Sequence, residues 1–187
     1  MASRASTTLD HPLFHWAQIA LMAAAAAWAV WLLVDGRGMQ ALAMAAVAGF
    51  GALLLATPER FAASFRLILL LAAMINGAGY VLGLWVEATP FDEIVHALTS
   101  FAGTAAVSWL LLGRTRLVTV ADGGRLIWAA LAVGLAFGIL WEMFEWLVGM
   151  IGSREDTLVD LAMDSIGALS AGLFCAWAAG LRRAGIA

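Results

Sequence analysis

The 187-residue sequence has no lysine, a single cysteine and few charged residues. Because Cys175 stands alone, neither an intrachain disulfide nor a cysteine-rich zinc site can form. Charged residues make up only 12% of the chain, against about 25% in an ordinary soluble domain. The formal net charge of −3 argues against a nucleic-acid partner. These shortages exclude a water-soluble globule as the default interpretation.

Apolar residues account for 64% of the chain, which also excludes a disordered protein, since disorder requires low hydrophobicity. A helix of roughly 20 apolar residues crosses the hydrocarbon core of a bilayer. Six segments meet this requirement, at 14–34, 39–57, 65–86, 91–112, 126–150 and 158–181. We therefore predict an all-α integral membrane bundle of six transmembrane helices, forming a single domain over residues 1–187. The apolar core of a signal peptide is about 7–15 residues long, and the first apolar stretch is longer than this. We therefore expect this segment to remain uncleaved.

The arginines indicate which way the helices cross the membrane. Eight arginines lie on the side that holds the N-terminus, whereas only Arg37 and Arg154 lie on the other side. Basic residues accumulate on the cytoplasmic side of a membrane protein. Both termini are therefore predicted to be cytoplasmic, and the loops after spans one, three and five are predicted to face outward.

The acidic residues gather at the outward ends of spans three to six. Nine of the 13 acids lie there, and those well inside apparent spans include Glu142, Glu145, Asp160 and Asp164. A charge at the centre of a bilayer costs about 2.5–3.5 kcal/mol on insertion scales. The acids inside the spans therefore need partners, protons or a cation.

Each of the last three spans carries a pair of titratable groups on one face. The pairs are Asp92 with His96, Glu142 with Glu145, and Asp160 with Asp164. Residues three or four apart share a helix face, so three such faces at similar depth can converge. One imidazole with several carboxylates suits Mg²⁺, Mn²⁺, Fe²⁺ or Ca²⁺ and accepts Zn²⁺. We predict that all six residues bind a divalent metal ion, and that Glu142 or Glu145 also acts in catalysis.

Several of these charged residues have a purely structural alternative. Asp92 and Asp156 can cap the helices that they begin, and Glu93 can favour the positive end of a helix. His96 can be an ordinary hydrogen-bonded polar residue. Arg154 can neutralise one of the acids, which would give a salt-bridged network without any metal.

Small residues line one face of span six, and two glycines do the same in span five. They are Gly134 and Gly138 in span five, and Gly167, Ala168, Ala171 and Gly172 in span six. Small residues let membrane helices approach closely. We therefore expect tight packing between these two spans and their neighbours.

Three segments together form a recognisable pattern. They are Phe91-Asp92-Glu93-Ile94-Val95-His96, Trp141-Glu142-Met143-Phe144-Glu145-Trp146, and the run from Arg154 through Asp156, Asp160 and Asp164 to Gly167-Ala168. This pattern resembles the YjdF-type bacterial inner-membrane family, a domain of unknown function, and more distantly the VanZ-like family linked to glycopeptide resistance. The resemblance implies a multi-pass inner-membrane protein with the same six site residues, and it implies no reaction. VanZ-like members tend to carry amides at the positions of Glu145 and Asp164.

Three functions are compatible with such a site. The first is a metal-dependent hydrolase acting on a lipid or cell-wall precursor, in which the metal activates water or polarises a phosphoryl or carbonyl oxygen. The second is a non-catalytic metal-binding or accessory subunit. The third is an ion- or proton-coupled transporter, which is less favoured because the acids are confined to the outer half of spans whose inner half is nearly all apolar. A cleft beside the acids would favour the enzyme over the non-catalytic subunit.

Overall fold

The computed structural model describes residues 8–58, 61–85, 90–115, 123–148 and 153–183. These residues form a short 3₁₀ turn at Thr8–Asp10 and six α-helices. In chain order the helices are α1 (Pro12–Val34), α2 (Gly38–Ala56), α3 (Ala63–Leu82), α4 (Phe91–Thr115), α5 (Gly123–Val148) and α6 (Arg154–Arg183). The prediction of an all-α protein is therefore confirmed for the described residues.

Five of the helices, namely α1, α2, α3, α5 and α6, are long and apolar enough to cross a membrane. Helix α4 is not in this group when only the described residues are considered. The chain is thus a multi-pass membrane protein. That α4 also crosses the bilayer, and that both termini are cytoplasmic, stay predictions.

Two helix ends differ by four residues from the predicted span ends, and both differences have local causes. Helix α3 ends at Leu82 rather than 86 because Gly83 adopts a φ of 68°, a conformation that closes a helix C-terminus. Helix α6 begins at Arg154 rather than 158 because the Ser153 hydroxyl accepts a hydrogen bond from the Asp156 N–H, at 3.1 Å. The alternative of Asp156 as the capping residue is therefore wrong, and Asp156 lies in the first turn of α6.

The helices fall into two compact units, of which the first contains α1 to α3 and the second runs from Trp85 to Gly180. The core of the first unit is apolar, with Leu32, Met44 and Leu70 fully buried. Buried Arg66 donates hydrogen bonds to the Pro58 and Phe61 carbonyl oxygens at 3.2 and 3.1 Å. The prediction of one domain is not settled by this grouping and stays a prediction.

Small residues bring the helices of the second unit into close approach. A Cβ atom added to Gly167 would overlap the main-chain carbonyl oxygen of Ala97 on α4. A Cβ atom added to Gly172 would lie 2.8 Å from the Cα atom of Ile127 on α5. The predicted small-residue face of α6 is therefore confirmed, since it packs against both of its neighbours.

Candidate metal centre

His96 lies between the acids of α4 and α6. Its Nε2 atom is 3.8 Å from Oδ1 of Asp92 and 3.9 Å from Oδ1 of Asp160. Its Nδ1 atom is 3.4 Å from Oδ1 of Asp164. His96, Asp160 and Asp164 are buried, whereas the side chain of Asp92 is 36% exposed. The imidazole ring therefore has carboxylates at both of its nitrogen atoms.

Helix α5 contributes its two acids to the same place. Ligand atoms of His96, Glu142 and Glu145 all lie within 4.8 Å of one another, and so do those of Asp92, His96 and Asp160. Ligands on opposite sides of one ion are about 4–5 Å apart, because each lies about 2.0–2.5 Å from the ion. Each group is thus compact enough to surround a single ion. Together with Asp164, all six predicted site residues meet around His96, and their metal binding stays a prediction.

Glu142 is the least satisfied of these acids. It is only 5% exposed, and among the described residues neither of its carboxylate oxygens has a hydrogen-bond partner. The Thr157 hydroxyl lies beside it as a weak donor, outside ordinary hydrogen-bond geometry. By contrast, Glu145 accepts a hydrogen bond from Nε1 of Trp141 at 2.8 Å. A buried carboxylate without partners is costly, so Glu142 requires a proton or a cation.

Two neighbours determine where Asp164 lies. A Cβ atom added to Gly138 on α5 would overlap Oδ2 of Asp164, so only glycine leaves room for this carboxylate. The Ser100 hydroxyl donates a hydrogen bond to the main-chain carbonyl oxygen of Asp164 at 2.8 Å. Ser100 was not among the predicted site residues, although its position one turn after His96 on α4 was a usable signal. Gly138 was predicted only as a packing residue.

The polar face of α4 continues beyond Ser100. Thr104 and Ser108 follow at the same spacing and are 1% and 8% exposed, and the Thr104 hydroxyl has no hydrogen-bond partner. The inner half of α4, expected to be nearly all apolar, therefore carries two buried hydroxyl side chains. Glu93, expected only to favour the helix end, also buries one carboxylate oxygen without a partner.

Arg154 does not neutralise the acidic cluster. Its side chain is exposed, and within the described part of the chain it forms no ion pair. Among the described residues, His96 is the one basic side chain within ion-pair distance of these acids. The alternative of an Arg154-paired structural network is therefore wrong, and the charge of the carboxylates needs another explanation.

A groove of about 870 Å³ lies beside the cluster, between α5 and α6. Its walls are mostly apolar, and its lining residues are Ile139, Glu142, Met143, Trp146, Leu147, Ser153, Arg154, Thr157, Leu158 and Leu161. Glu142 belongs both to this lining and to the cluster around His96. The groove therefore reaches one of the site residues, whose carboxylate oxygens are themselves buried.

Apolar helices of membrane-spanning length and a buried histidine–carboxylate cluster define a multi-pass membrane protein with a candidate metal centre. The chain belongs to the DUF2238 family of predicted membrane proteins, whose model matches residues 14–180. This family is the one that contains the YjdF-type proteins, so that part of the resemblance is confirmed. No curated protein and no solved structure matches the chain. The description of the family names no activity, so the function is argued from the site.

Proposed function

We propose that the protein binds a divalent cation at the cluster around His96. The observation that supports this most directly is Glu142, a buried carboxylate without a hydrogen-bond partner beside an imidazole and a second glutamate. A cation offsets the repulsion among the carboxylates and satisfies the Glu142 oxygens. With one nitrogen and several oxygen ligands, Mn²⁺, Fe²⁺, Mg²⁺ and Ca²⁺ fit the set and Zn²⁺ is accepted.

The geometry suggests different roles for the two sides of the histidine ring. Nδ1 of His96 faces Asp164, so an Nδ1–H donated to this carboxylate leaves the Nε2 lone pair for the ion. A carboxylate that orients a metal-bound histidine in this way is a recurrent arrangement. We therefore assign Asp92, Asp160 and Glu142 as ligands with His96, and Asp164 as the residue that orients the ring.

The groove favours an enzyme over a non-catalytic subunit, because it is an opening beside the acids and has Glu142 among its lining residues. The chemistry that a divalent cation supplies at such a site is activation of water and polarisation of a phosphoryl or carbonyl oxygen. Compounds that enter an apolar groove between membrane helices are lipids or lipid-linked cell-envelope precursors. We infer a metal-dependent hydrolase of the bacterial inner membrane, in which Glu142 faces the substrate and Glu145 stays beside the ion. The more distant kinship with VanZ-like proteins stays a prediction.

One observation favours a second candidate, an ion- or proton-coupled transporter. His96, Ser100, Thr104 and Ser108 follow each other at four-residue intervals and form a polar, largely buried face along α4. Polar groups at several depths are what a path across a membrane requires. The enzyme remains the better supported function, because the groove is at the acids and no second acidic group continues this face.

Hydrolysis of lipid phosphates by the purified protein tests the enzyme directly. Detergent-purified protein is incubated with Mn²⁺ and phospholipids or polyprenyl phosphates, and released phosphate or headgroup is measured. Release that requires metal and is lost in Glu142→Gln is the expected result, with Asp35→Asn as a matched acid outside the cluster. Protein that retains metal but turns over none of these substrates would overturn the hydrolase and leave the non-catalytic subunit.

A further inference from the structure

The groove between α5 and α6 contains two opposite charges that do not pair with each other. Arg154 lines it, is exposed and has no ion-pair partner in the described part of the chain. Glu142 also lines it, buried and without a hydrogen-bond partner. These are the one base and the one acid among the lining residues. Once a cation offsets Glu142, Arg154 therefore remains as the one charged side chain among the described lining residues.

Apart from Ser153 and Thr157, the rest of the lining is apolar. Trp146, Leu147 and Leu158 are 78%, 83% and 67% exposed. They lie in helices of membrane-spanning length and composition, so their exposed surface suits acyl or isoprenoid chains. A soluble phosphate compound would gain nothing from this wall, whereas a lipid would pack its chains on it.

We propose that this groove binds a lipid whose headgroup is an anionic phosphate, with the phosphate at Arg154 and the chains on the apolar wall. This inference rests on the proposed function, because an ion held by Glu142 offsets the charge of the one carboxylate among the described lining residues of the groove. The arginine fork matches phosphate oxygens in a bidentate manner. A zwitterionic headgroup is disfavoured, since its ammonium group would find no free acid in the lining.

A lipid phosphate bound at Arg154 would also be the substrate of the proposed hydrolase. A phosphate bound to Arg154 lies in the groove that also contains Glu142, a ligand of the proposed ion. Arg154 is then a specificity-determining residue, which selects lipids that carry a net negative phosphate.

Competition between two lipids tests the proposal. Delipidated full-length protein in detergent with Mn²⁺ is mixed with equal amounts of dioleoyl phosphatidylglycerol and dioleoyl phosphatidylcholine, and bound lipid is counted by native mass spectrometry. We expect phosphatidylglycerol to be favoured about fivefold, as one arginine near a headgroup implies. Arg154→Ala should abolish the preference, and Leu158→Trp, which narrows the groove, should reduce binding of both lipids. Arg125→Ala, a control at the other end of α5, should retain the preference.

The outcomes separate this inference from the metal site. Equal binding of the two lipids by the wild type, or a preference that survives Arg154→Ala, overturns the lipid inference. Displacement of phosphatidylglycerol by inorganic phosphate alone overturns it as well, because it shows a site for free phosphate. Metal content measured on the same samples reports on the proposed function. Bound metal without a lipid preference refutes the lipid inference alone. Wild-type protein without metal refutes the metal site and, with it, the lipid inference that rests on it.

Discussion

Nδ1 of His96 lies 3.4 Å from the carboxylate of Asp164, at the opposite side of the ring from Asp92 and Asp160. This relationship gives each nitrogen of His96 a separate task in our account. Nδ1 is hydrogen-bonded and fixes the ring, and Nε2 is directed at the proposed ion.

Asp164→Asn should weaken metal binding without abolishing it. An amide accepts the Nδ1–H less strongly than a carboxylate and no longer polarises the ring, and loss of such a partner typically costs about 10- to 100-fold in metal affinity. His96→Ala, which removes a ligand, should cost more. Titration with Mn²⁺ followed by electron paramagnetic resonance gives both affinities. Equal losses in the two variants would show that Asp164 is itself a ligand.

Gly138→Ala should destabilise the protein and disturb the metal site together. The added methyl group overlaps Oδ2 of Asp164, and overpacking of this kind costs about 1–3 kcal/mol. Gly103→Ala on α4 is the matched control, because a Cβ atom there has nothing within 4 Å. Thermal unfolding in detergent, with and without Mn²⁺, measures the effect. If the two variants melt alike, the close contact between α5 and Asp164 is not present in solution.

Gly167→Ala should be more harmful to folding than Gly138→Ala. Its added methyl group would meet the main chain of α4 at Ala97, which cannot rotate away as a side chain can. We expect the contact between α4 and α6 to open and the yield of folded protein to fall. Size-exclusion chromatography and thermal unfolding check this. Wild-type behaviour of Gly167→Ala would contradict the packing of these two helices.

Metal binding should weaken as the solution becomes acidic. Histidine and carboxylate ligands bind a metal only when deprotonated, so each binding event releases protons. The apparent affinity for Mn²⁺ should therefore fall steadily as the pH is lowered from about 8 to about 5. Titration with Mn²⁺ at a series of pH values measures this. An affinity that stays the same over that range would exclude His96 as a ligand.

Much of this architecture could be predicted because it depends on local properties of the sequence. Apolar length predicts the helices, and the i, i+4 spacing of Asp92 and His96 places both on one face. The helix ends at Gly83 and Ser153 were missed, because the capping geometry is set by single residues within an otherwise continuous pattern. Glycine and serine are common near the ends of apolar helices, so their presence alone does not predict where a helix ends.

The arrangement around His96 could not be predicted in detail, because it depends on how three helices cross. Spacing along α5 gives Gly138 no visible link to Asp164, which it meets only in the folded unit. The lack of an ion pair at Arg154 and the groove that it lines also depend on how the helices pack. From the sequence, Arg154 was a possible ion-pair partner for the acids. The structure shows that its side chain is exposed and forms no ion pair with the described residues.

The most direct test of the account is the metal content of the purified protein. Inductively coupled plasma mass spectrometry is applied to the wild type and to the double variant Glu142→Ala, Asp160→Ala, each reloaded with Mn²⁺, Fe²⁺, Zn²⁺ or Ca²⁺ and desalted. The account predicts nearly stoichiometric metal in the wild type and its loss in the double variant, with Asp35→Ala unaffected. Wild-type protein that retains none of these metals would contradict the account and leave the carboxylates as a protonated network.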